Sequence, residues 1–463
     1  MQCTINLSLP TELNLIWLRR NLRINDNQAI YLALKHGVSL ACYVWDQELL
    51  NQQHNLRQQL FIYQSLVELR QNLRNYGSDL LILYGSTASC LIDLCGKFKI
   101  KAIYYNQEYD PQQLAKDQLL ELELIKHGSN IYRLDDQLIF PTNAIRKADN
   151  SAYTVFTAYK RAWLNQFERT KLLTYSLDNL VNNFYQTIPF SETLPTVANI
   201  TNPFYGGESH AQHRLGAFST RLDHYHEQRD YPSLNSGSAL ATDLCFGTIS
   251  IRQLIQLTLL LPSQGSQMWL SELVWREFFM QILANFPHVV AQPFHLQYNN
   301  LTYPNNPLYW QAWCNGQTGV PIVDAGMRQL QQTGLMHNRV RMICASFLCK
   351  DLLIDWRYGE RYFAQHLLDY ELSSNNGNWQ WCASTGCDAQ PYFRMFNPYL
   401  QAQKFDPDAE YIRQYVPELA HLSANQIHSI DKNQLCLENC SYPKAIVNHH
   451  QQIKLAKLMF SQK

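Results

Sequence analysis

An α/β first domain built on a mostly parallel sheet, followed by a large all-α domain, is the fold class that this 463-residue sequence predicts. Three observations carry it. Short apolar runs alternate with helical periods over the first third, the pattern of βαβ units. A polar, proline-spotted stretch, "TIPFSETLPTVANITNPFYGGE" (187–208), then reads as a surface connector. Beyond it, strand patterns nearly vanish and helical periodicity takes over.

Taken in order, "LNLIWL" (13–18) is a strand and "NQAIYLALKHG" (27–37) a helix stopped by Gly37. "VSLACYVW" (38–45), "DLLILYG" (79–85) and "IKAIYYN" (100–106) are three further strands, separated by helical patterns at 55–76 and 111–127. No Gly-x-Gly-x-x-Gly follows the first strand, so the dinucleotide fingerprint is missing. The expected partition is 1–140 for the α/β domain, 141–205 for the connector and 206–463 for the helical domain.

Composition bounds the function. With 46% apolar and 16% charged residues the chain is globular. Its 38 basic and 38 acidic residues balance, which argues against extended coating of nucleic acid but leaves room for a local basic cleft. Twelve cysteines without a leading signal segment fit reduced, cytosolic thiols, and localisation is expected to be cytoplasmic. The close pairs Cys90/Cys95, Cys344/Cys349, Cys382/Cys387 and Cys436/Cys440 lack the two-residue gap of a zinc knuckle, so no metal is expected. No apolar run reaches the roughly 18 residues of a membrane span. Seven of ten tryptophans fall at or after Trp269, so the aromatic load sits in the second half.

Two helices there carry polar groups amid apolar ones. In "WLSELVWREFFMQIL" (269–283), Glu272, Trp275, Arg276 and Phe279 share a face. Cleft lining and a core helix with a satisfied ion pair stand level as readings of that stripe. In "MHNRVRMICASFLCKDLL" (336–353), Asn338 and Met342 are i, i+4 neighbours, while Arg339 and Arg341 point to different sides. "NNGNWQW" (375–381) then crowds amides and indoles together. Asn375, Asn376, Gly377 and Asn378 read as a turn or a helix start, and the amide density points to a ligand with hydrogen-bonding edges. Trp379 and Trp381, two apart, diverge by roughly 200° on a helix.

At these residues the sequence resembles the photolyase/cryptochrome family, most closely the bacterial class I cyclobutane pyrimidine dimer (CPD) photolyases. The resemblance runs from about 13 to 455 and is densest in 318–363 and 375–398. Supporting pieces are "LIWLRRNLRINDN" (15–27), "YTVFTAYKRAWL" (153–164), "GGESHAQHRLGAF" (206–218) and "SELVWREFF" (271–279). It implies an antenna α/β domain, a helical domain holding FAD, and light-driven electron transfer to a flipped-out dimer; flipping by photolyases is itself a standard example of base extrusion.

Residue by residue, the resemblance places Asn375 at flavin N5, where a neutral amide suits a reduced flavin. Glu272 would contact the dimer carbonyl. Trp275 and Trp381 would sandwich the dimer, and Asn338 and Met342 would touch it. Arg341 with Asp369 matches an ion pair beside the flavin ring, and Tyr225, Ser238, Leu240 and Glu371 match other FAD contacts. Arg229, Arg276, Arg339, Arg394 and Lys404 match a basic ring for DNA phosphates, whose binding weakens with salt. Trp379 and Trp356 match the inner and middle members of a photoreduction chain. The outermost position falls on Tyr303, with Trp310 and Trp313 near enough in sequence to substitute.

Several positions depart from the family. The diphosphate loop reads "GSALA" (237–241), with Ala239 in place of an arginine, which implies weaker FAD retention. Tyr370 and Leu335 replace a small residue and a tryptophan, and Asn21 and Asn25 stand where Asp and His are usual. The folate-type antenna pocket would use a glutamate near Gln113 and a lysine near Val290, so folate is not assigned. The expectation is a monomeric CPD photolyase acting on DNA. The alternatives are a blue-light receptor of the cryptochrome type and a decayed relative with weak FAD binding.

Overall fold

The computed structural model describes residues 12–53, 55–168, 172–190, 194, 197, 200–389, 391, 394–431 and 440–461. Parts of the expected connector, Cys436, and Gln390, Tyr392 and Phe393 of the 375–398 block lie outside the described residues. Packing divides the chain into two compact units. The first comprises 1–149, 161–220 and 238–263, and the second comprises 150–160, 221–237 and 264–463.

The first unit holds a five-stranded parallel sheet in the order β3-β2-β1-β4-β5, with β1 Leu13–Leu18, β2 Ser39–Trp45, β3 Leu80–Tyr84, β4 Ile100–Asn106 and β5 Asn130–Leu134. Leu15 sits opposite Leu40 on one side and Ile103 on the other. Every residue of β1 and β2 is buried, as a parallel sheet covered on both faces requires. The connecting helices start where polar caps stand. Asn27 accepts from Ala29 and Ile30 N–H, Asn55 and Gln58 form a capping box, and Asp110 caps the helix opened by Pro111.

β5 was not foreseen. Its sequence "NIYRL" lies at the sheet edge and is largely exposed, so it has no apolar run to announce it. Packing also does not follow the expected boundary at 205. A Cβ on Gly206 would fall 2.2 Å from the Phe61 carbonyl oxygen, so only glycine lets the chain press onto helix Leu56–Asn75 there. Ser209 N–H then donates to Glu68, and helix Glu208–Ser219 packs within the first unit.

Among its described residues, the regular elements of the second unit are all helices. Helix Gln264–Asn285 crosses helix Leu372–Ala383 at Gly377, where a Cβ would lie 2.1 Å from the Phe279 ring. Helix Trp356–His366 approaches through Gly359, whose Cβ would meet the Trp379 ring at 2.1 Å. The glycine of "NNGNWQW" is therefore an interhelical contact, and the stretch lies inside a helix that begins at Leu372. That corrects the expected turn or helix start.

The amides divide their work. Asn376 and Gln380 donate to the Val289 carbonyl, Gln380 also accepts from Phe294 N–H, and Asn378 bonds back to Ser374 O. Three of the polar side chains in this stretch thus satisfy the protein's own backbone. Asn375 likewise donates to a backbone carbonyl, that of Glu360, and it also reaches the Glu360 carboxylate.

The expected helix over 336–353 is broken into an α-helix, Asn338–Ser346, and a π-helical turn, Phe347–Asp351. Within that turn Lys350 is 1% exposed, and desolvation pulls its ammonium down to about 7. It donates to Ala383 O and Ser384 Oγ, at the end of helix Leu372–Ala383, and lies 3.6 Å from the centre of the Phe460 ring. Asp351 meets His449 Nδ1 at 2.5 Å, so helix His449–Ser461 is seated on the same turn. No helix among the described residues is long and apolar enough to cross a membrane.

Candidate active site

The second unit gathers most of the residues that the sequence singled out, and it gathers them in pairs of opposite charge. Arg276 donates through Nε and Nη2 to both oxygens of Glu371, at 3.0 and 2.7 Å. Glu371 is the N-cap residue of helix Leu372–Ala383, where a carboxylate is favoured by the helix dipole. Arg229 is bonded to Glu272. Arg339 reaches Asp230 at 2.8 Å, and Arg229 lies 3.9 Å from the same carboxylate. Three of the five residues expected to face DNA phosphates therefore already hold carboxylates. Arg394 and Lys404 are exposed.

Arg341 Nη2 contacts both oxygens of Asp369, at 3.0 and 2.8 Å, and its Nε donates to Met336 O. Asn375 Nδ2 donates to the Glu360 carbonyl and to its carboxylate at 3.1 and 2.9 Å. Desolvation holds the Glu360 carboxyl above its ordinary range. Sequence reading missed Glu360. Its signal was the position fifteen residues before Asn375 on a facing helix, which spacing alone does not reveal.

Trp275 stacks on Phe156 with ring centres 3.5 Å apart and planes 8° apart, and it also stacks on Phe279. Trp381 is half-buried against the helical core, whereas Trp379 is 2% exposed, so the two indoles do diverge. Met342 Sδ lies 4.0 Å from Arg339 Nη1, and Asn338 is exposed at the start of its helix. Tyr225 carries the Arg229 guanidinium 5.6 Å from its ring centre. Trp356 is 1% exposed, and the Tyr303 hydroxyl is buried without a hydrogen bond to the described residues.

His337, between these groups, accepts from Arg339 N–H through Nδ1 and caps helix Asn338–Ser346. Desolvation pulls it from 6.5 to about 4, with Asp230 opposing and Arg341 and Arg339 reinforcing the drop. The folded chain thus prefers the neutral ring, while the unfolded chain takes up the proton first. Its contribution is present above pH 6.5 and is lost as pH falls toward about 4. Thermal midpoints measured across that window are expected to fall less steeply in His337→Asn than in the unaltered protein.

The first unit carries the remaining expected FAD contacts. Leu240 N–H donates to Ser238 Oγ at 3.4 Å, which leaves the Ser238 hydroxyl proton free to donate. Ala239 holds a left-handed backbone, φ 57°, a conformation that is uncommon for a non-glycine residue. The same unit has an open cavity of about 960 Å³ at the carboxyl ends of β1, β2 and β3, walled by Trp17, Tyr43, Trp45 and Tyr84. Arg19 lies over Trp17 there, 4.5 Å from the ring centre, and is paired with Asp117; Gln113 also lines the cavity.

These groups fit a flavin. The Arg341–Asp369 pair and the Asn375 amide offer hydrogen-bonding groups to the edge of such a ring, and the Trp379 indole is buried behind them. A parallel-sheet unit together with a helical unit bearing that set agrees with the class of light-driven repair and signalling flavoproteins that the sequence resembles. Residues 14–176 match DNA photolyase, and residues 269–462 match the FAD binding domain of DNA photolyase. The deoxyribodipyrimidine photo-lyase of Vibrio cholerae is 36% identical over 457 residues, covering 95% of this chain and 97% of its own. A bacterial class III photolyase from Agrobacterium tumefaciens superposes with a TM-score of 0.85 at 31% identity, covering 99% of both chains. A Synechocystis cryptochrome gives 0.86 at 26%, covering 98% of this chain and 100% of its own. The chain belongs to the DNA photolyase family, and its cofactor is FAD.

Proposed function

We propose that this chain repairs cyclobutane pyrimidine dimers in DNA by light-driven electron transfer. The observation that carries the reading is the crossing at Gly377, which sets the Glu272–Trp275–Arg276 face beside the 371–381 helix within one unit. Bound FAD supplies, when reduced and photoexcited, the electron that opens the cyclobutane ring. The chain's own residues do the rest. Arg341 and Asp369 hold the ring system. Glu360 fixes the Asn375 amide, so that a neutral group with no acidic proton faces it. Trp275 and Trp381 grip the flipped dimer, with Asn338 and Met342 at its edge, and the Arg229–Glu272 pair meets its carbonyl, where the Arg229 cation offsets the negative charge that develops.

Arg229, Arg276, Arg339, Arg394 and Lys404 position the phosphates. Tyr225, Ser238, Leu240 and Glu371 complete the FAD contacts, and the 960 Å³ cavity has room for an antenna chromophore other than folate, whose presence is left open. We read 1–140 as the antenna domain, 141–205 as the connector and 206–463 as the FAD- and DNA-binding domain of a cytoplasmic monomer. The family likeness to a cryptochrome favours a receptor as the second reading. Illuminating the dithionite-reduced, flavin-loaded protein with dimer-containing single-stranded and duplex DNA decides between them. Restored pyrimidines are expected, and flavin without repair would move the assignment to the receptor.

A further inference from the structure

We propose that Trp379 is refilled through Trp313 and Trp310, a branch that ends at the surface on Trp310 and makes Tyr303 dispensable. The proposal rests on the reading that Trp379 donates to the flavin, and it specifies the route behind that donor.

The rings form an unbroken series. Trp379 and Trp313 are 6.2 Å apart between centres, inclined at 68°, with Phe363 in contact with both. Trp313 and Trp310 are 5.5 Å apart and stacked within 21°. Trp313 is fully buried, whereas Trp310 is half-buried and has Tyr358 and Tyr362 edge-on at 5.7 and 5.8 Å. Tyr358 is 42% exposed, so the series opens to water at that end. Trp356, by contrast, makes no ring–ring contact among the described residues; the Arg357 guanidinium lies 5.1 Å from its ring centre.

Proton chemistry points the same way. An oxidised phenol must shed its proton at once, and the Tyr303 hydroxyl is buried with no acceptor among the described residues. Burial also lifts it well above its ordinary range. An oxidised indole can persist as a cation. Trp379 Nε1 has no hydrogen-bond partner among the described residues, and Trp313 Nε1 donates only to the Cys344 carbonyl, which is no base. Neither inner indole can be trapped by deprotonation, so its electron vacancy moves on until it reaches Trp310, where water can take the proton.

One electron moves inward at each hop. Trp379 gives an electron to the flavin, Trp313 refills Trp379, and Trp310 refills Trp313. An external thiol refills the neutral Trp310 radical with one electron and one proton and becomes a thiyl radical, while the proton that Trp310 shed stays in water. The sum is one electron carried from thiol to flavin.

The test is blue-light photoreduction of the full-length, FAD-loaded protein with thiol present, followed by flavin absorbance and by electron paramagnetic resonance of the long-lived radical. Trp310→Phe is expected to reduce the rate to that of Trp379→Phe and to abolish the indole radical signal, while Tyr303→Phe keeps both. A Trp310→Phe rate nearer to the unaltered protein than to Trp379→Phe overturns the branch, and so does a Tyr303→Phe rate as low as that of Trp379→Phe. Trp310 is half-buried, so folding is checked by flavin content before the rates are compared. Repair by the dithionite-reduced, unaltered protein is measured in parallel. It needs no relay, so its failure would count against the proposed function alone.

Discussion

Arg341→Met is expected to destabilise the flavin-loaded protein by about 2–4 kcal/mol, somewhat below the figure for breaking a fully buried pair. The side chains of Arg341 and Asp369 are 26% and 12% exposed, so solvent screens part of the loss. The substitution leaves the Asp369 carboxylate without its cation and the Met336 carbonyl without its donor. Thermal unfolding and flavin content after gel filtration measure the effect. The double variant Arg341→Met/Asp369→Leu separates charge from packing, because it removes the stranded carboxylate as well. It should recover more than half of the loss. A double variant no more stable than the single one would mean that the pair is not what the site depends on.

Trp381→Ala is expected to weaken binding of dimer-containing DNA by about 1–3 kcal/mol, the usual contribution of one stacked base. That corresponds to a factor of roughly 5–150. Affinity for undamaged duplex should stay unchanged, since phosphate contacts are untouched. Competition binding with paired damaged and undamaged oligonucleotides gives the ratio. Trp275→Ala provides the contrast. Its ring lies flat against Phe156, so its removal also strips a packed aromatic pair and should lower the thermal midpoint. If Trp381→Ala loses both DNAs equally, its indole is a general DNA contact and the sandwich assignment fails.

The four strands β1 to β4 were legible because each is an apolar run between helical periods, buried on both faces. β5 was not, since an edge strand as exposed as "NIYRL" carries no such mark. The helical half was legible as a class but not in its joints. A π turn at 347–351 leaves no trace in a hydrophobic period, and Gly377 looked like a turn residue because its reason, the Phe279 ring, comes from a helix a hundred positions earlier. The site was legible as a set of residue types and only partly as a geometry. The alternative of a satisfied ion pair on the 269–283 helix holds for Arg276, whose partner Glu371 is 95 residues away. Glu360 and the pairing of Arg229 with Glu272 depend on which helices meet, and one chain's periodicity does not encode that.

Lys350 has a consequence for the order in which the protein is made. It closes the end of the helix that carries Asn375, Trp379 and Trp381, and its own cover is Phe460, on a segment translated long after it. At about 5–20 residues per second, the ribosome takes several seconds to pass from one to the other. Until then the 347–351 turn has neither Phe460 to cover Lys350 nor His449 to pair with Asp351. The frame of the site is thus completed last, by residues that take no part in its chemistry.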